Sequence, residues 1–195
     1  MLFQICAYLL YIFLNMSMII HQINDLSNSY VTKLLKDGLQ HIAEDHLLEN
    51  YHPSYKNNAA NLFYILKNGR YKIGKYFIIT DELDNYIASA GWNEYSTDTA
   101  LCLTRMYVST KHRSSFVVGE TLLPKIFAET AQYSKLWMSV NDYNKPLYNW
   151  FVRSQQTNNI GNWPELYKKF KPIGEKTINY TVQHVVEYDR SKENN

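Results

Sequence analysis

"LTRMYVSTKHRSSFVVGETLLPKIFAETAQYSKLWMSV", residues 103–140, decides the fold. Its opening continues the β-branched and aromatic run "TALCLTRMYVS" and reads as a strand. Leu122, Leu123, Ile126 and Phe127 then recur at the spacing of one helix face, over about residues 119–133. "KLWMSV" is short and apolar enough for a strand buried on both faces. A helix linking two strands of one sheet is a crossover, so the two strands run parallel. Parallel strands that feed the amino ends of helices are where anionic ligands usually bind.

Working outward, "YKIGKYFIIT" and "NYIASAGW" are two more strand-like runs, separated by the short polar turns "DELDN" and "NEYSTD". With "TALCLTRMYVS" they make an antiparallel meander. Residues 27–49 read as a helix capped by Ser27 or Asn28, with Tyr30, Leu34, Leu35, Leu39, Ile42, Ala43 and Leu47 at helical spacing. "ENYHPSYKNN" is a loop, followed by a short helix or apolar turn over 58–67. A further helix starts near Pro146, a residue suited to a first turn, and "GEKTINYTVQHVVEYD" supplies one last strand. The expected class is α/β (α+β): a mixed, mostly antiparallel sheet with a central parallel pair and helices on both faces. One domain covers residues 21–190, with 191–195 as a tail; no repeat or linker divides it.

With 195 residues, 46% hydrophobic and 19% charged, the chain is large enough for one folded core. A net charge of +2 is too weak for a nucleic-acid footprint. Cys6 and Cys102 match no metal or redox spacing and fit a reducing compartment, hence a cytoplasmic protein. His41 and His46 in "HIAEDH" fall on different helix faces, unlike a zinc-binding H-E-x-x-H, while His21, His52 and His184 stand isolated. No metal is expected. Residues 1–20 carry no charge and as a helix would span roughly 30 Å. Gln4, Asn15 and Ser17 interrupt that leader, and no basic flank or cleavage site accompanies it. Three readings stay open: a working start at Met16 or Met18, a buried first element, or a membrane anchor. The last is the only route to a membrane.

The loop in "MYVSTKHRSSFVVGETLLPKI" and the later "NDYNKPLY" together resemble the GNAT N-acetyltransferase superfamily, over about residues 72–152. That family follows its central strand with "R/Q-x-x-G-x-G/A" and a helix with paired leucines. Arg113 lies five residues after Val108, and Gly119 three before the leucine pair. Counted from the strand, the glycine positions fall on Phe116 and Val118; counted from the helix, on Val117 and Gly119. The loop therefore carries about one extra residue and keeps one glycine. "NDYNKPLY" puts Asn141, Asn144, Leu147 and Tyr148 on the family's "N-x-x-A-x-x-L-Y", with Asn in place of Ala. Taken alone, this fragment favours a core tyrosine and a turn-capping asparagine.

The resemblance implies a sheet splayed at its parallel pair, with the pantetheine arm of acetyl-CoA inserted there. Acetyl-CoA is then the acyl-donor substrate and an amine the acceptor. The backbone of Met106 and Val108 would pair with that arm, and Asn141 would bond it from the opposite side. Arg113 and Lys111 would hold the pyrophosphate by charge, Ser114, Ser115 and Thr121 by hydroxyls, and Val117, Val118, Gly119 and Glu120 by backbone N–H groups. A backbone N–H near Tyr107 or Val108 would stabilise the oxyanion, and Tyr148 would protonate the departing thiolate. Glu94, Asp98 and His112 are weaker candidates for a base. Tyr76, Phe77, Trp92 and Tyr95 read as sheet packing or an acceptor groove. The alternative implied function is a GNAT-fold binding module without turnover, which the altered loop favours. Protein amino termini, lysine, aminoglycosides, polyamines and small metabolites all remain open as acceptors.

Overall fold

The computed structural model describes residues 17–23, 27–48, 74–94, 100–115, 117–140, 145–157, 165–178 and 181–192. Seven strands lie in one sheet: β1 (Ile19–Gln22), β2 (Gly74–Thr80), β3 (Tyr86–Glu94), β4 (Ala100–Val108), β5 (Lys135–Val140), β6 (Lys171–Ile178) and β7 (Thr181–Asp189). Their spatial order is β1-β2-β3-β4-β5-β7-β6, and β4–β5 is the parallel pair among antiparallel neighbours. The helices are α1 (Ser29–Leu48), α2 (Leu123–Glu129), α3 (Lys145–Thr157) and the single turn α4 (Glu165–Lys168). A 3-10 turn (Thr110–Ser115) and a π turn (Val118–Leu122) lead from β4 into α2.

Strand β2 shows why helices cover both faces. It is buried from Tyr76 to Thr80 without a break, as a strand must be when neither face meets water. Phe77 and Ile79 pack with Leu122, Leu123 and Ile126 under α2. Tyr76 and Ile78 join Leu35 of α1 and Tyr86 on the opposite face. Each fully buried Leu or Ile in these clusters contributes about 1.5–3 kcal/mol. Gly91 on β3 is required by space, since a Cβ there would sit 2.6 Å from the Lys75 carbonyl oxygen and 2.8 Å from the Tyr76 ring.

Several details differ from the sequence expectations. The helix expected over 119–133 begins as a π turn and is α-helical over Leu123–Glu129. Pro124 stands in the first turn of α2, directly after the π turn; the helical run is continuous through it, so its missing N–H removes one helical bond where the wide turn ends. Asn28 is the α1 cap: its Oδ1 accepts from the backbone N–H of Tyr30 (2.9 Å) and Val31 (3.3 Å). Tyr30 leaves the buried stripe; it is exposed, and its hydroxyl donates to Asp84 at 2.7 Å. The last strand is two, β6 and β7, paired as a hairpin, with β7 inserted between β5 and β6. β1 takes in Ile19 and Ile20, at the end of the run read as a leader. The 58–67 segment, residues 1–16 and the side chains of Ala43 and Leu47 lie outside the described residues. No described helix is long and apolar enough to cross a membrane.

Candidate active site

The parallel pair does not stay paired. Its ladder runs from Ala100↔Lys135 to Leu103↔Met138, yet β4 continues to Val108 and β5 to Val140. Beyond Leu103 the described residues give β4 no partner on the β5 side, so the sheet opens in the middle. A β-bulge marks the same place. Gly91 pairs with Thr104 and Ser89 with Tyr107, so Arg105 and Met106 together oppose the single residue Ala90. A bulge bends and twists its strand, and this one turns the end of β4 away from β5.

Past the bulge, the Ser109 N–H donates to the Ile87 carbonyl at 2.9 Å, toward β3. By the alternation of a strand, Val108 and Met106 turn their own N–H and C=O groups the other way, into the gap. Their side chains pack on the α2-side core, while Tyr107 faces α1 and lies 6.4 Å from the Tyr86 ring. These two backbones are the edge an extended ligand could pair with, as a strand added to a sheet.

The loop after β4 solves its shortage of glycine by facing inward. Val117 and Val118 are each 2% exposed and belong to the core cluster with Leu122 and Leu123, and Gly119 is buried beside them. Their bulk therefore fills the core, while Glu120 is exposed at the surface. Arg113 folds back onto the strand end. Its Nε donates to the Val108 carbonyl (3.4 Å), its Nη2 to the Tyr107 hydroxyl (3.2 Å), and its guanidinium lies 5.7 Å from the Tyr107 ring centre. His112 turns toward α1, its Nδ1 2.7 Å from Ser109 Oγ. Phe116 and the Ser114 side chain lie outside the described residues.

On the far side of the gap, α3 presents Tyr148. Its ring stacks on His184 of β7, 4.9 Å between centres and 27° between planes. His184 pairs in register with Val140, the last residue of β5, so the Tyr148 ring lies on the strand next to β5, and its hydroxyl reaches on toward β6. The Tyr148 hydroxyl accepts a hydrogen bond from the Gly174 N–H at 3.1 Å. Gly174 ends a bulge in β6, with φ of +93°, a left-handed backbone that favours glycine. Because the phenol accepts in that bond, its own proton is not used by it. His184 is buried, with Nδ1 3.6 Å from the exposed Glu175 carboxylate.

His184, Gly174 and Glu175 were not legible as site residues; His184 reads in sequence as one more position of an alternating strand. Asn141 and Asn144 lie outside the described residues, as do Tyr95, Asp98, His52 and the side chains of Glu94 and His46. Tyr76, Phe77 and Trp92 are buried in the sheet. Cys102 is buried across from Ser139, its Sγ 4.0 Å from that hydroxyl, and burial pushes its thiol up to about 11.

No protein-family model and no curated protein matches the chain. Solved structures do. A Desulfovibrio desulfuricans protein assigned to the GNAT acetyltransferase family superimposes with a TM-score of 0.60 at 11% identity, over 89% of this chain and 99% of that one. A GNAT-family acetyltransferase from Staphylococcus aureus Mu50 gives 0.55 at 13% identity, over 88% and 99%. PaiA N-acetyltransferase from Thermoplasma acidophilum, solved in complex with coenzyme A, gives 0.53 at 12% identity, over 89% and 99%. At such identities the likeness is one of fold.

Proposed function

The chain has the fold of GNAT acetyltransferases, and from that premise we propose that it is an acyl-CoA-dependent N-acyltransferase. It would move an acetyl or other short acyl group from coenzyme A to an amine by direct attack. One observation carries the reading: the β4–β5 ladder opens after Leu103↔Met138, and Tyr148 is stacked on β7, the strand next to β5. An opened parallel pair is costly unless something fills it, because each strand forfeits ladder bonds. The pantetheine arm of acyl-CoA, extended and rich in amides, has the chemistry to pair with Met106 and Val108. The pyrophosphate would meet Arg113, the Ser114 hydroxyl and the backbone at Val117, Val118, Gly119 and Glu120. Asn141 would bond the arm from the β5 side.

In the reaction, the amine nitrogen attacks the thioester carbonyl carbon. The C–N bond forms, the C–S bond breaks, and the proton of the amine leaves to water. A main-chain N–H at Tyr107 or Val108 would stabilise the oxyanion. Tyr148 would give its proton to the departing thiolate, while the Gly174 N–H supports the phenol oxygen left behind. The buried free thiol of Cys102 suits a reducing compartment, and the cytoplasm is the proposed location.

Calorimetry with acetyl-CoA, followed by transfer assays over a panel of amines, tests the proposal. Binding should stabilise the fold by about 2.7 kcal/mol at a hundredfold excess over Kd. Absence of binding at millimolar acetyl-CoA would sink it. A second reading, a GNAT-fold module without turnover, has its own support: Arg113 lies folded onto Val108 and Tyr107. It predicts that Tyr148→Phe leaves every function of the protein intact.

A further inference from the structure

A cavity of about 370 Å³ lies on the α1 side of the sheet. Three parts of the chain wall it: His41 from α1, Asp81 and Asn85 from the β2–β3 turn, and Lys111 with His112 from the 3-10 turn after β4. Tyr86 and Ser109 close its base. Tyr86 belongs to the α1-side core, and the His41 ring lies 5.2 Å from its ring. Val117 and Val118, by contrast, are buried in the core on the other face. The cavity and the Val117–Gly119 turn are thus backed by opposite faces of the sheet, while Arg113, over Tyr107, lies on the cavity's face.

Its polar wall holds one carboxylate, one ammonium and two imidazoles. Asp81 is the acidic wall residue, and its oxygens serve its own turn. Oδ1 accepts from the N–H groups of Leu83 (2.9 Å) and Asn85 (2.8 Å), and Oδ2 accepts from the Asn85 amide (2.8 Å). The His112 ring is fixed by Ser109 Oγ, 2.7 Å from Nδ1, and Ser109 is itself 1% exposed. We propose that this cavity is a binding site for a compact oxyanion, a phosphate or carboxylate group, held by Lys111, His112 and His41 and distinct from the Val117–Gly119 turn.

The electrostatics agree. Burial holds His112 below the usual imidazole range, Lys111 and His41 push the same way, and Asp81 opposes them. Partial burial pushes Asp81 up, but hydrogen bonds from Asn85 and Leu83, with His112 nearby, bring it below the usual carboxylate range. An anion placed among these groups reverses the sign of the field at His112 and draws a proton onto it. Binding and protonation are then linked, and affinity falls as pH rises.

Sulfate is a clean probe, because its charge is constant between pH 5 and 8. The full chain is titrated with sulfate while the imidazole nitrogens of His41 and His112 are followed by NMR. Both should shift saturably, with half-saturation of roughly 1–10 mM at pH 6, weakening about tenfold by pH 8. Lys111→Met, at an exposed position where folding is not at stake, should weaken binding about tenfold. The shifts should persist in the presence of saturating coenzyme A. A linear response with no saturation overturns the proposal, as does a Lys111→Met titration equal to wild type. So does complete displacement of sulfate by coenzyme A, or saturation by spermidine in place of sulfate. The sulfate titration stands whether or not the chain transfers acyl groups, so this proposal and that activity can fail separately.

Discussion

At the scale of single residues, Tyr148 and Gly174 form one device. The bulge at Gly174 needs φ of +93°, and a Cβ added there meets nothing within 4 Å. Gly174→Ala therefore acts through the backbone alone and should cost about 1 kcal/mol, read as a lowered Tm. If the N–H it carries supports the phenol, the variant should also lose acyl transfer beyond that stability cost. Tyr148→Phe should lower kcat about 10²–10⁴-fold with little change in acetyl-CoA affinity. Unchanged kcat would return Tyr148 to a packing role against His184. Cys102 gives a pH prediction. Burial pushes its thiol from 9.0 up to about 11, so the folded chain keeps a proton that the unfolded chain has released. That stability is full below about pH 9 and is lost as pH rises toward 11, roughly 2–3 kcal/mol in all. A Cys102→Ser variant should flatten the alkaline end of a denaturation-versus-pH curve. Folded protein should also leave Cys102 unreactive to a thiol reagent at pH 8.

At the scale of elements, Arg190 closes α2. Its guanidinium donates to the carbonyls of Thr130 (2.6 Å), Tyr133 (2.6 Å) and Phe127 (3.0 Å) and lies over the Phe127 and Tyr188 rings. A helix carboxyl end has carbonyls without helical partners and a negative dipole, and one fork answers both. Arg190→Ala should destabilise by about 2–3 kcal/mol, and Arg190→Lys should recover less than half, measured by urea unfolding. The elements differ in how well sequence foretells them. The β4–α2–β5 crossover was legible because both strands and the helix face are strongly patterned. The β6–β7 hairpin was not, because Asn179 and Tyr180 join it without a glycine, and Pro172 and Gly174 blur the start of β6. Length was the missed signal: sixteen residues exceed the usual 3–10 of a strand. The π turn was hidden too, since nothing in Val118–Leu122 departs from an α-helical pattern and Pro124 follows it within α2.

At the scale of the molecule, what could be read was the order of elements, and that order fixes the central gap. The bulge at Arg105–Met106 could not be read, because an extra residue in a strand leaves the alternation looking merely imperfect. The contacts of Tyr148 could not be read because its neighbours lie 26 and 36 positions along the chain. The same topology sets the hierarchy of stability. β1 is a four-residue edge with exposed Ile19 and Ile20, whereas β3, β4, β5 and β7 have neighbours on both sides. Native-state hydrogen exchange should find the slowest amides in β3, in β7 and in the first four residues of β4. The fastest should be in β1 and along the outer edge of β6. Uniform protection across the sheet would contradict that hierarchy.

The insertion of β7 between β5 and β6 has a consequence for how the protein comes into being. A ribosome delivers the chain amino end first, so β1 to β5 and the α3 tyrosine are all outside before the strand that seats them exists. Until residue 184 emerges, Tyr148 has no imidazole to stack on, and β5 has an open edge where β7 belongs. A truncated product lacking the hairpin would carry nearly all the named site residues yet leave Tyr148 without His184 and Gly174, and β5 with an open edge.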